Sequence, residues 1–170
     1  NIGALYVYDV SDPLNPRKVT KVSTHGLRAH GIASTGNYVF AVGATGIYTF
    51  DISTPYDPMV VGEMSIKNRF YSSAEIVDNL LFAVGVILDS DEHSGVLDII
   101  NISNPIHPKT AWSITLHQNI ALNIEIIGSV SYIACGSGVA VVDVSKQESP
   151  RLLSSLNAAQ GRANWGVKIL

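Results

Sequence analysis

The chain has 170 residues, a net charge of −3 and only 15% charged side chains, against roughly a quarter in ordinary soluble domains. That is length enough for one domain with a sizeable core, and the charge excludes the basic field expected of a nucleic-acid partner. No run of 18 apolar residues offers a membrane span, and a lone Cys135 excludes an internal disulfide framework while leaving the redox compartment open.

The first motif is GALYVYDVSDPLNP, from Gly3 to Pro16. Its apolar and aromatic run, Leu5 to Tyr8, reads as a strand sheltered from water. Asp9 is a short acceptor suited to an Asx-turn, and Ser11 supports it two residues later. Pro13 fixes φ and stops the strand, and Pro16 starts the next one from an extended conformation. The motif returns as GIYTFDISTPYDP (Gly46 to Pro58), GVLDIINISNPIHP (Gly95 to Pro108) and GVAVVDVSKQESP (Gly138 to Pro150). Asp9, Asp51, Asn101 and Asp143 mark the copies, spaced by 42, 50 and 42 residues, and their shared place predicts a structural turn role. The fourth copy has Gln147 in place of the first proline, which predicts a less rigid turn.

Three further strand-like runs separate successive copies. After Pro16 come Arg17 to Ser23, His30 to Ser34 and Tyr38 to Val42, with a turn at Thr35-Gly36-Asn37. The order recurs as Met59 to Ile66, Ser72 to Val77 and Leu80 to Val84. It recurs again as Lys109 to Thr115, Ala121 to Ile127 and Ser131 to Cys135. Four short strands per period describe an all-β chain built as propeller blades. The boundaries follow as a partial blade over 1–24, blades over about 25–66, 67–116 and 117–157, and the first strand of a further blade over 158–170. The ends do not sum to a whole blade, and the chain opens inside a strand, as a processed form or an excised piece would. The expectation is therefore an arc of a larger propeller, completed by further blades or by self-association, rather than a four-blade ring with one three-stranded blade.

These motifs, together with the strand pair GNYVFAVGATGIYTFDIS (Gly36 to Ser53), resemble the LVIVD repeat, a propeller-forming repeat of bacterial and archaeal proteins that are often surface-exposed. The resemblance implies a β-propeller and an extracellular or cell-surface location. It brings no family-wide catalytic residues. The chain departs from it at Gln147, at Asn101 and in the long link after Gly85.

Sorting the links of an up-and-down blade by face puts His25, His30, His93 and His117 on one side, with Arg28, Lys67, Arg69, Arg162 and Trp165. The other side carries the proline turns and His107. The candidate ligand-binding set is Arg28, His30, Arg69, Tyr71, His117, Arg162 and Trp165. Three arginines just ahead of inner strands suit a carboxylate, phosphate or sulfate, and the bland alternative is loop residues bonding the next blade. The link Val86 to Ser94 gathers Asp89, Asp91, Glu92 and His93, which offers Ca²⁺ or another divalent metal a site or else forms a hydrated acidic tip. No other cofactor is expected. Gly136-Ser137-Gly138 joins two strands and is a tight turn rather than part of a dinucleotide fingerprint. Asn101-Ile102-Ser103 is a formal glycosylation sequon whose asparagine is expected to serve the turn. The resulting expectation is a non-enzymatic module binding a protein or a small ligand, an anionic one included. The alternatives are an enzyme using His25, His30 or His117 at the channel mouth, and a structural spacer.

Overall fold

The computed structural model describes residues 3–24, 26, 28–89, 93–116, 120–157 and 166–169, and its regular structure is entirely antiparallel β. Strands β1 (Ala4–Asp9) and β2 (Arg17–Ser23) form a two-stranded sheet. The next sheet holds β3 (Ala29–Thr35), β4 (Tyr38–Gly43), β5 (Gly46–Asp51) and β6 (Met59–Ser65). A third holds β7 (Arg69–Val77), β8 (Leu80–Leu88), β9 (His93–Asn101) and β10 (Lys109–Leu116). The last holds β11 (Ala121–Ile127), β12 (Val130–Cys135), β13 (Gly138–Asp143) and β14 (Arg151–Asn157). Each strand pairs with its neighbour in the chain, so every four-stranded sheet runs up and down in sequence order, a propeller-like plan.

Repeated turn chemistry sets that plan. The turn between first and second strands begins in the left-handed region at Gly36, Asp78 and Gly128, with φ of 54°, 55° and 59°. Its next residue accepts a backbone bond from the residue leaving the third strand: Ile52 N to Asn37 O at 2.7 Å, Ile102 N to Asn79 O at 2.9 Å, Val144 N to Ser129 O at 2.8 Å. The short turns and the proline turns are thereby tied together on one side of each sheet. At the other end Gly46 has φ of 132°, and a Cβ there would lie 2.0 Å from the Met64 carbonyl oxygen, so only glycine permits the β5 start.

The apolar residues collect between successive sheets. Leu5 and Val22 pack on Ala41, Tyr48 and Phe50. Phe40, Val42 and Ile47 meet Tyr71, Leu81 and Ile100. Phe82, Val84 and Ile99 meet Ile124, Ile133 and Val142, with Cys135 inside that layer. Burial pushes the Cys135 thiol up to about 11, which keeps it protonated and inert.

Two elements differ from the sequence reading. Arg69 does not precede the inner strand but begins it, paired with Ile87. The cause is the nine-residue β8, which runs on to Leu88 and gives β7 a partner that far. Gly166 to Ile169 carry no strand pairing, although the first strand of a further blade is expected within 158–170, of which 158–165 and 170 lie outside the described residues.

Candidate functional site

The proline-turn side is built from four Asx-turns. Asp9, Asp51, Asn101 and Asp143 each accept, through Oδ1, the backbone N–H of the serine two residues on, at 2.8–2.9 Å. Bonds to the ionised form hold a carboxyl low. The Ser11 N–H, then the Ser11 hydroxyl and Arg17, hold Asp9 at about 2. Asp51 is lowered chiefly by the Ser53 N–H, and Asp143 by the Ser145 hydroxyl and N–H. Arg17 also bonds Asp9 at 2.7 Å, and Arg151 stands 4.0 Å from Asp143.

Two clefts lined by described residues open among these turns. The larger, about 720 Å³, lies between β6 and the turn leading into β10, and is lined by Glu63, Asn101, Asn104, His107 and Lys109 among others. Beside it the two sheets approach closely, since a Cβ on Gly62 would meet the Ile106 carbonyl oxygen at 2.9 Å. The smaller, about 180 Å³, lies between the turns at Asp78 and Gly128 and reaches Gln147.

On the opposite side Arg28 is exposed, and its carbonyl accepts the Ala44 N–H at 3.3 Å. His30 is exposed too, its ring 4.6 Å from that of Phe70. Arg69 and Tyr71 are brought together, but on a carboxylate rather than on an open rim. Asp98 in β9 is 2% exposed. Its Oδ2 accepts Arg69 Nε at 3.0 Å and the Tyr71 hydroxyl at 2.5 Å, and its Oδ1 accepts the Ser113 hydroxyl. The Arg69 charge is thus met inside the sheet, with its side chain 19% exposed. Burial, then the Asp98 charge, pushes the Tyr71 phenol above its ordinary range and keeps it a donor. His25, His117, Arg162 and Trp165 lie outside the described residues.

The acidic link joins the paired strands β8 and β9. His93 belongs to β9 and pairs with Leu88, Asp89 sits just past β8, and Asp91 and Glu92 lie outside the described residues. Among the described residues no three His, Cys, Asp or Glu side chains stand close enough to hold a metal ion.

Sequence reasoning missed Asp98, Glu75 and Glu125. The Glu75 carboxylate in β7 accepts the Ile126 N–H of β11 at 2.8 Å, and Glu125 in β11 accepts the Ile169 N–H at 2.6 Å and the Lys168 ammonium. The inner strand of a sheet has an open edge, and Glu75 satisfies one donor on that of β11, while Glu125 satisfies one in the segment Gly166 to Ile169. Burial raises Glu75, with the nearby Glu125 charge adding to it, whereas the Lys168 bond lowers Glu125. The signal was present as a glutamate at one register in SAEIV and NIEII.

The LVIVD repeat model matches residues 92–115 and 120–158. No curated relative matches the chain. Among solved structures, the crystal structure of the computationally designed Ika4 protein is similar, with a TM-score of 0.60 and 14% identity over 86% of this chain and 82% of that one. At that identity the likeness shows the fold alone.

Proposed function

Because residues 92–115 and 120–158 match the LVIVD repeat model and the same sheet plan runs through the other described sheets, we propose that this repeat β-propeller module is an arc of a larger propeller. Its blades span about 25–66, 67–116 and 117–157, and its role is non-enzymatic binding of a protein or small ligand at a cell surface or outside the cell. Among the described residues β1 pairs only with β2, and the further strands that a blade has on that inner side support the arc reading.

One observation carries the binding role, namely the 720 Å³ cleft of mixed polar and apolar lining between two sheets whose other contacts are closely packed. A spacer needs only packed sheets. A cleft of that volume, within the roughly 300–1,000 Å³ usual for ligand sites, is more than packing requires. Titrating the isotope-labelled chain with chemically distinct probes (citrate, glucose, a short acidic peptide and a short basic one) tests this reading by amide shift mapping. Saturable shifts at loop and cleft residues are expected with at least one probe. Shifts with none, up to millimolar concentration, would return the chain to a purely architectural role.

A further inference from the structure

The four turns differ at one position that changes the charge around them. Where the marker is aspartate and arginine follows the second proline, the two are partnered, as in Arg17 with Asp9 and Arg151 with Asp143. In the third copy the marker is Asn101 and the cation after Pro108 is Lys109, which has no carboxylate partner among the described residues. The Asn101 Oδ1 is occupied by the Ser103 N–H, so replacing the acid exchanges a carboxylate oxygen for an Nδ2 donor. Asn104 repeats the arrangement, with Oδ1 accepting the Ile106 N–H at 3.3 Å and Nδ2 remaining a donor.

Both amides, the Lys109 ammonium and the His107 ring line the large cleft, and Glu63 stands among them as its one acid. Ser65 donates to Glu63 Oε1 at 3.3 Å, and the Tyr48 hydroxyl is also bonded to this carboxylate. We propose that the cleft binds a hydroxylated monocarboxylate of the sugar-acid kind. The ligand carboxylate takes Lys109 and the amide donors, and its hydroxyls donate to Glu63. A carboxylate on the wall repels a second negative charge, so dianions and polyanions are disfavoured. This inference rests on the binding-module reading and names the ligand class for one of its surfaces.

The test is a titration with D-glucuronate, D-glucose and inorganic phosphate, followed by calorimetry and by amide shifts. Glucuronate is expected to shift the amides from Ser103 to Ala111, and glucose and phosphate to bind at least tenfold more weakly. Lys109→Gln should weaken glucuronate about tenfold, the worth of one charge-assisted hydrogen bond. Asn101→Asp installs the residue that the other three copies use, so the turn is kept. It should weaken glucuronate similarly, because the new carboxylate engages Lys109. Both variants are checked for an otherwise unchanged amide spectrum. Equal binding of glucose, or glucuronate affinity unchanged in both variants, overturns the inference. Shifts confined to Arg28 and His30 overturn it while leaving a binding module in place, and no shift with any probe removes both.

Discussion

Removing the Asp98 carboxylate should be among the most damaging single changes in the molecule. Asp98→Ala leaves the Tyr71 hydroxyl, fully buried, without its acceptor and strands a largely buried Arg69 guanidinium. Breaking one side of a buried pair costs about 3–5 kcal/mol, because the remaining charge is uncompensated. Asp98→Asn is a milder perturbation. One amide oxygen can still accept Arg69 Nε and Tyr71, and the amide nitrogen can donate to the Ser113 hydroxyl, so only the charge is lost. The expected cost is about 1–2 kcal/mol, the difference between charge-assisted and neutral hydrogen bonds. Urea unfolding of both variants, with the slope checked for constancy, measures the two values. A double-mutant cycle with Arg69→Met isolates the coupling. If Asp98→Ala costs under about 1 kcal/mol, or no more than Asp98→Asn, the carboxylate is not what holds β7, β9 and β10 together there.

The turn aspartates predict an acid response with a built-in control. Their folded pKa values lie below the ordinary 3.8, at about 2 for Asp9, so their contribution is complete above about pH 4 and is lost as pH falls toward 2. Hydrogen exchange should then show the Ser11 and Ser53 amides losing protection over that window while Ser103, bonded to an asparagine that does not titrate, keeps its own. Gly46→Ala should destabilise by upwards of about 2 kcal/mol, since the position has φ of 132° and a carbonyl oxygen where the methyl would go, and thermal melting would detect it. Thr49→Val should stabilise by about 1 kcal/mol in urea unfolding, because the Thr49 hydroxyl is buried with no hydrogen-bond partner among the described residues.

The sheets were legible because their signals are local and repeated. A β-branched run, an Asx residue, a serine and paired prolines recur at one spacing, and each fixes a few dihedrals without help from elsewhere. Arg69 and Tyr71 stood out as a cation and an aromatic in one inner strand, but what they serve was hidden. Their partner Asp98 lies 27 residues from Tyr71 and two strands away, and only the sheet brings them together. An acid inside the apolar run GVLDIIN was the available sign that a buried cation or donors must face it. The cleft was harder still. It belongs to two sheets at once, joining Glu63 to Lys109, and no spacing within one repeat encodes a gap between repeats.

The bonds made by Glu75 and Glu125 run in one sense along the chain, from Glu75 to the following sheet and from Glu125 to the segment Gly166 to Ile169 beyond the last one. Such a joint is head-to-tail: a unit shows one surface to the neighbour before it and a different surface to the neighbour after it. Joints of this type have no intrinsic stopping number, and a duplicated unit arrives carrying both halves of its own connection. A ring closes only when the rotations per unit add up to a full turn, so geometry rather than any one residue fixes the count. The joint between β3 and β7 is made differently. Ala33 occupies the register of Glu75 and Glu125, and Gly31 instead lets two backbones touch, since a Cβ there would lie 2.8 Å from the Ser73 Cα. Protonation therefore acts on the two carboxylate joints of the array and leaves this third one unchanged.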